Sequence, residues 1–129
     1  MTRGAERLGQ LARIARVKAD GELRAYSARR AQAEAMQRQL DAVRAELAQA
    51  IAAPTAPDAP AQWRQTAALV GYRSEQLRQA ETALARIRPG LEAARQAAVR
   101  AFGRSEALSQ LQALTRAQAQ LDRQRREDR

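Results

Sequence analysis

The chain is predicted to be all-α, with two long helices folded into one antiparallel coiled-coil hairpin and the second helix kinked near Pro89. Three observations predict this. Apolar or small residues recur at heptad spacing along both halves, a Pro-rich stretch separates the halves, and Ala, Leu, Arg and Gln dominate the composition. With 129 residues the chain has room for one domain, spanning 1–129.

The first helix is expected over about residues 4–52. Its seam reads Ala5, Ala12, Ala19, Tyr26, Ala33, Leu40 and Leu47, with Leu8, Ala15, Met36, Val43 and Ala50 three residues on. Glu22 and Arg29 interrupt the companion track. A stripe through Leu11, Ile14 and Val17 competes with it, so the register near the start stays open. The repeat is cleanest from 33 to 51.

The connection, at about 53–61, lies in AAPTAPDAPAQW. Pro54, Pro57 and Pro60 each remove a backbone donor and bias the preceding residue away from helix. Thr55 and Asp58 add turn-forming side chains. Such a segment is long enough to reverse the chain.

The second helix is expected over about residues 61–124. One track runs Trp63, Val70, Leu77, Leu84, Leu91 and Ala98; the other runs Thr66, Arg73, Ala80, Ile87, Ala94 and Ala101, with Arg73 as the misfit. Trp63 and Val70 share the seam and are expected to be buried, while Leu69 lies beside it. An interior Pro costs a helix about 3 kcal/mol. Pro89 therefore predicts a kink, with a full break into a third helix as the alternative; Leu84, Ile87 and Leu91 hold the heptad phase across it. Beyond Phe102 and Gly103, the positions Leu108, Leu111, Leu114 and Leu121 suggest a stutter that shifts the seam.

Twenty-three basic residues against 14 acidic ones give a formal charge of +9, a surface suited to anionic partners. Much of the charge is placed for local pairing: Asp20 with Arg24 and Glu34 with Arg38 at i,i+4, and Asp41 with Arg44, Glu75 with Arg78 and Glu92 with Arg95 at i,i+3. The excess gathers at Arg3, Arg7, Arg13, Arg16 and Lys18 and again at Arg123, Arg125, Arg126 and Arg129. A hairpin brings these clusters to the end opposite the loop.

There is no Cys and no His, which removes disulfides, thiolate chemistry, the commonest metal ligand and the usual general base near neutrality. Ser27, Ser74, Ser105 and Ser109 have no His to activate them. No catalytic, cofactor-binding or metal-binding residues are expected, and the chain is read as a non-enzyme. It has no apolar run of bilayer-spanning length and no secretory signal, so a cytoplasmic location is expected. The Arg-rich opening RLGQLARIARVK carries Glu6 just before it and runs into the first heptads, unlike a transit peptide. Nucleic-acid binding has weak support, because the basic end lacks an aromatic stacking platform and a docking motif. None is expected.

The second half, WRQTAALVGYRSEQLRQAETALARIRPGLEAARQAAVRAFGRSEALSQL, resembles the FliJ-like family of bacterial flagellar export proteins, which is similar to the YscO-like stalk proteins of virulence type III secretion. The shared pattern is a Trp after the loop, two apolar residues six and seven positions on, and then apolar residues at heptad spacing. Here these are Trp63, Leu69, Val70, Leu77, Leu84, Ile87, Leu91, Leu108 and Leu111. The whole chain fits the family's size and two-helix layout. It departs from the pattern in its few aromatic residues and in Pro89.

The resemblance implies a cytoplasmic stalk that inserts into the hexameric export ATPase and also touches the cytoplasmic domain of the export gate, with export chaperones as further partners. Such a protein meets the inner membrane only through its partners. The end carrying both termini would face the ATPase, making Arg7, Arg13, Arg16, Arg123 and Arg126 candidate contacts. Leu69 matches an apolar position that the family uses toward the gate, with Val70 adjoining and Arg73 standing where an apolar partner is expected. A coiled-coil scaffold or homodimer and a basic nucleic-acid-binding helical protein are the alternatives.

Overall fold

The computed structural model describes residues 2–54 and 58–129. Two long helices account for nearly all of them: α1, Thr2–Ala52, and α2, Pro60–Glu127, which pack against each other as a helical hairpin. No strand occurs among the described residues.

Proline chemistry sets the inner ends of both helices. Ala53 precedes Pro54, whose ring disfavours helical backbone in the residue before it, and α1 stops at Ala52. Pro60 opens α2, where its missing N–H costs nothing because that group has no partner inside the helix. The Trp63 N–H donates to the Ala59 carbonyl at 3.1 Å, closing the first turn. The expected turn residues Thr55 and Pro57 lie outside the described residues. At the far end the Asp128 N–H donates to the Gln124 carbonyl at 2.9 Å. Helix α2 runs unbroken through Pro89, so the alternative of a third helix does not hold.

The contacts group into two compact units, Met1–Ser27 with Glu92–Arg129 and Ala28–Leu91, each made of a stretch of both helices. In the first unit the buried residues are Ala12, Ala19, Ala98 and Ala101, flanked by half-buried Leu8, Ala15, Tyr26, Ala94 and Leu108. Gly9 approaches Gln112, while Ala19 and Ala98 line one hollow, so the helices run antiparallel. Small side chains permit close backbones but contribute little: a buried methylene is worth about 0.8 kcal/mol. In the second unit the buried residues are Leu40, Leu84 and Ala50, with Met36, Val43, Leu47, Val70, Leu77, Ala80, Ile87 and Leu91 half-buried around them. Arg29 against Gly90 and Glu46 against Arg73 give the same antiparallel sense there.

One open register is settled and two expectations are corrected. The stripe through Leu11, Ile14 and Val17 is exposed, and the Ala12–Ala19 track forms the seam. Steps of three residues fall short of a turn by about 60° each, so such a stripe drifts off any one face, whereas steps of seven nearly close. The stutter after Gly103 is likewise absent: Ser105, Leu108, Gln112 and Ala119 continue the earlier phase half-buried, while Leu111, Leu114 and Leu121 face out. The seam there changes in chemistry, from apolar to polar, and keeps its phase. Trp63, expected in the seam, is 56% exposed. The Glu46–Arg73 pair sets residue 63 level with chain beyond Ala52, where α1 has already ended, so Trp63 has no helix to pack against.

Gly103 offers a test of this packing. A Cβ there would meet nothing within 4 Å, so Gly103→Ala adds a methyl to open space and removes the backbone-entropy cost of Gly in a helix. The expected outcome is a gain of about 0.5–1 kcal/mol, read by urea denaturation followed by circular dichroism.

Candidate functional site

Two of the three misfits of the seam, Arg29 and Arg73, are accommodated by the residue each faces across the hairpin. Arg73, 30% exposed at its side chain, reaches Glu46 Oε2 at 2.9 Å and donates to Gln76 Oε1 at 2.8 Å. Its guanidinium carbon sits 5.6 Å from the centre of the Tyr72 ring. Arg29 lies over Gly90, its Nη1 2.8 Å from the place a Cβ would take. An Arg therefore occupies each of these seam positions because its charge is met by a carboxylate or its bulk by a missing side chain.

Around the loop-side end, Leu69 is 44% exposed, Val70 half-buried, and Trp63 and Tyr72 exposed on the same helix. Of the three candidate gate contacts, Leu69 is the one presented outward; Val70 belongs to the seam, and Arg73 is engaged with Glu46. Leu69→Asp is expected to leave the melting temperature nearly unchanged, with a stability loss of no more than about 0.5 kcal/mol, as for an outward-facing position. A loss of several times that size would mark Leu69 as core.

Charge is unevenly neutralised. In the second unit Glu34, Asp41, Glu46, Glu75 and Glu81 all hold Arg side chains, including the cross-helix Arg44–Glu81 pair at 3.4 Å. Glu34 takes Arg30 rather than the expected Arg38. In the first unit the fourteen Lys and Arg include one, Arg95, that is ion-paired among the described residues, with Glu92. Asp20 and Arg24 do not form the expected pair. Hydrogen bonds from Arg78 and Arg95 hold the Glu75 and Glu92 carboxyls below their usual range, and the same bonds raise both guanidinium groups.

Two hollows lie on one side of the first unit. One, of about 400 Å3, is ringed by Arg13, Arg16 and Arg116 over Gly9, Ala12 and Gln112. The other, of about 320 Å3, is lined by Leu23, Tyr26, Val99 and Phe102 over Ala19 and Ala98, with Asp20 and Arg95 among its walls. Of the five Arg expected to act together, the structure brings Arg13 and Arg16 to one hollow, while Arg7, Arg123 and Arg126 stand exposed outside it. Sequence reasoning missed Arg116, which sits alone in its stretch of α2. The signal that finds it is the antiparallel register, which sets Gln112 against Gly9 and so carries the next turn of α2 to the Arg-rich start of α1.

No group of His, Cys, Asp or Glu that could hold a metal ion occurs among the described residues, and no helix there is long and apolar enough to cross a membrane. Comparison with protein families, with curated proteins and with solved structures finds no match to this chain.

Proposed function

We propose that the chain is a non-enzymatic cytoplasmic stalk of a flagellar or type III protein-export apparatus, which engages a hexameric export ATPase through the unit carrying its termini and the export gate through the loop-side end. The resemblance of the second half to FliJ-like proteins motivates the reading. The observation that carries it is the cation-rich first unit, whose Lys and Arg are left without carboxylate partners among the described residues, Arg95 excepted.

Helix stability does not account for the cations at the start of α1. No acidic residue occupies the first turn of α1, and Arg3 and Arg7 sit near its positive end, where a cation costs a few tenths of a kcal/mol. Arg125 and Arg126, in the last turn of α2, are the ones the helix dipole favours. Cations placed against their own helix are more economically explained by an anionic surface on a partner. Exposed charge also suits a contact that must form and release, because each exposed pair is weak and screened by salt.

The test is co-purification of the full chain with a hexameric export ATPase, with light scattering on the free chain. A monomer that joins the hexamer and stimulates its turnover is the expected result. A stable dimer indifferent to the ATPase would reassign the chain to a coiled-coil scaffold. DNA or RNA binding that collapses log-linearly with salt would reassign it to nucleic acid.

A further inference from the structure

We propose that the side of the first unit running from the Leu23–Phe102 hollow to Arg13, Arg16 and Arg116 is a docking groove for an acidic amphipathic helix of a partner protein. The helix seats an apolar side chain in the first hollow and sets carboxylates against the three guanidinium groups. This deepens the preceding reading and rests on one part of it, that the termini-carrying unit is a partner-binding surface.

Heptad positions align the two hollows. Arg16 and Leu23 are seven residues apart on α1, as are Arg13 and Asp20, and Phe102 and Arg116 are fourteen apart on α2, so each helix presents both hollows on one face. Seven residues advance a helix by about 10 Å, the same distance that separates residues seven apart on any helix laid along the groove. Arg16 and Leu23 stand two turns apart and Phe102 and Arg116 four, so a partner with an apolar anchor and acidic residues spread over the second to fourth turn from it matches both hollows at once.

Charge selects the occupant. Arg13, Arg16 and Arg116 have no carboxylate partner among the described residues, so the basic hollow calls for anionic groups. In the apolar hollow Arg95 is already held by Glu92, which leaves Asp20 as the unengaged charge and disfavours a phosphate there. Phe102, 65% exposed, and Val99 and Leu23 provide the apolar walls instead. A second copy of this chain would bring the same cations to the groove and be repelled. The guanidinium forks suit paired carboxylates, which they bind bidentately.

The probe is a synthetic helical peptide with a Trp anchor and Glu residues two to four turns away, titrated onto the full chain by fluorescence anisotropy. Three controls accompany it: the Trp→Ser peptide, the Glu→Gln peptide, and duplex DNA alongside anionic phosphatidylserine vesicles. Either altered peptide is expected to bind at least about tenfold more weakly. On the protein side, Arg13→Gln with Arg116→Gln should erase the difference between the Glu and Gln peptides, and Phe102→Ser should erase that between the Trp and Ser peptides. Both variants lie at exposed positions, and circular dichroism checks that they remain helical.

Equal binding of the anchorless peptide, tighter binding of DNA or vesicles than of the peptide, or no saturable binding would overturn the groove. A chain that joins the ATPase yet ignores the peptide sinks this inference alone. A chain that binds the peptide yet ignores the ATPase keeps the groove and removes the stalk.

Discussion

Leu84→Ala is expected to cost about 2–5 kcal/mol, the range for emptying a fully packed Leu site. Leu84 is 4% exposed and Leu40 is 3%, and the Arg44–Glu81 contact sets these two leucines at about the same level of the hairpin. They are the only Leu residues in a buried set otherwise made of Ala among the described residues. A hairpin of two helices has no third element to fill the vacancy, so little of the lost contact is recovered. Whole domains are stable by about 5–15 kcal/mol, and a two-helix fold with so small a core belongs at the low end, so this one change removes much of the margin. Leu114→Ala is the matched control: the same side chain, facing out, with an expected change within about 0.5 kcal/mol. Urea denaturation of both variants, followed by circular dichroism, decides it. Equal losses would mean that Leu84 is no more a core residue than Leu114.

The seam was legible because it obeys one period over both helices. Ala12, Ala19, Tyr26, Ala33, Leu40 and Leu47 are buried or half-buried, as are Val70, Leu77, Leu84, Leu91 and Ala98. Where the reading stayed open or went astray, side-chain size competed with phase. Leu11, Ile14 and Val17, and later Leu111, Leu114 and Leu121, are larger and more apolar than the Ala and Ser residues that take the buried places beside them. In a continuous helix the phase set by Leu40 and Leu84 propagates to both ends, and local hydrophobicity cannot overrule it without a change in helical winding. Trp63 failed for a different reason: periodicity along one helix says nothing about where the opposite helix ends.

The candidate site was legible in composition and illegible in geometry. The excess of Arg near both termini is visible in the chain, but which cations converge depends on the antiparallel register, which only cross-helix pairs such as Glu46–Arg73 and Gly9–Gln112 establish. Register joins Arg116 to Arg13 and Arg16, and sets Phe102 and Val99 beside Leu23 and Tyr26. It also explains the tolerance for Arg29 and Arg73. Each reads as a flaw on its own helix, and each faces on the other helix the residue that accommodates it.

On the proposed stalk role, replacing Arg7, Arg13, Arg16, Arg123 and Arg126 together by Glu is expected to abolish stimulation of a hexameric export ATPase while leaving helicity unchanged. Each reversal removes two units of charge, so five turn the formal +9 into −1. All five side chains are exposed and none is ion-paired among the described residues, so the folded hairpin loses no contact. The helix dipoles pull in opposite senses at the two sites. Glu near the start of α1 is favoured, and Glu in the last turns of α2 is opposed by about 0.3–1 kcal/mol, so the two effects offset. An Arg→Gln set separates loss of attraction from added repulsion, and an Arg→Lys set keeps the charge without the planar fork. If charge alone makes the contact, the Lys set stimulates nearly as well as the native chain, and raising the salt weakens both alike. If bidentate pairing makes it, the Lys set falls toward the Gln set. Stimulation that survives the Glu set unchanged would place the ATPase contact elsewhere on the chain and leave the cation-rich unit without the role assigned to it.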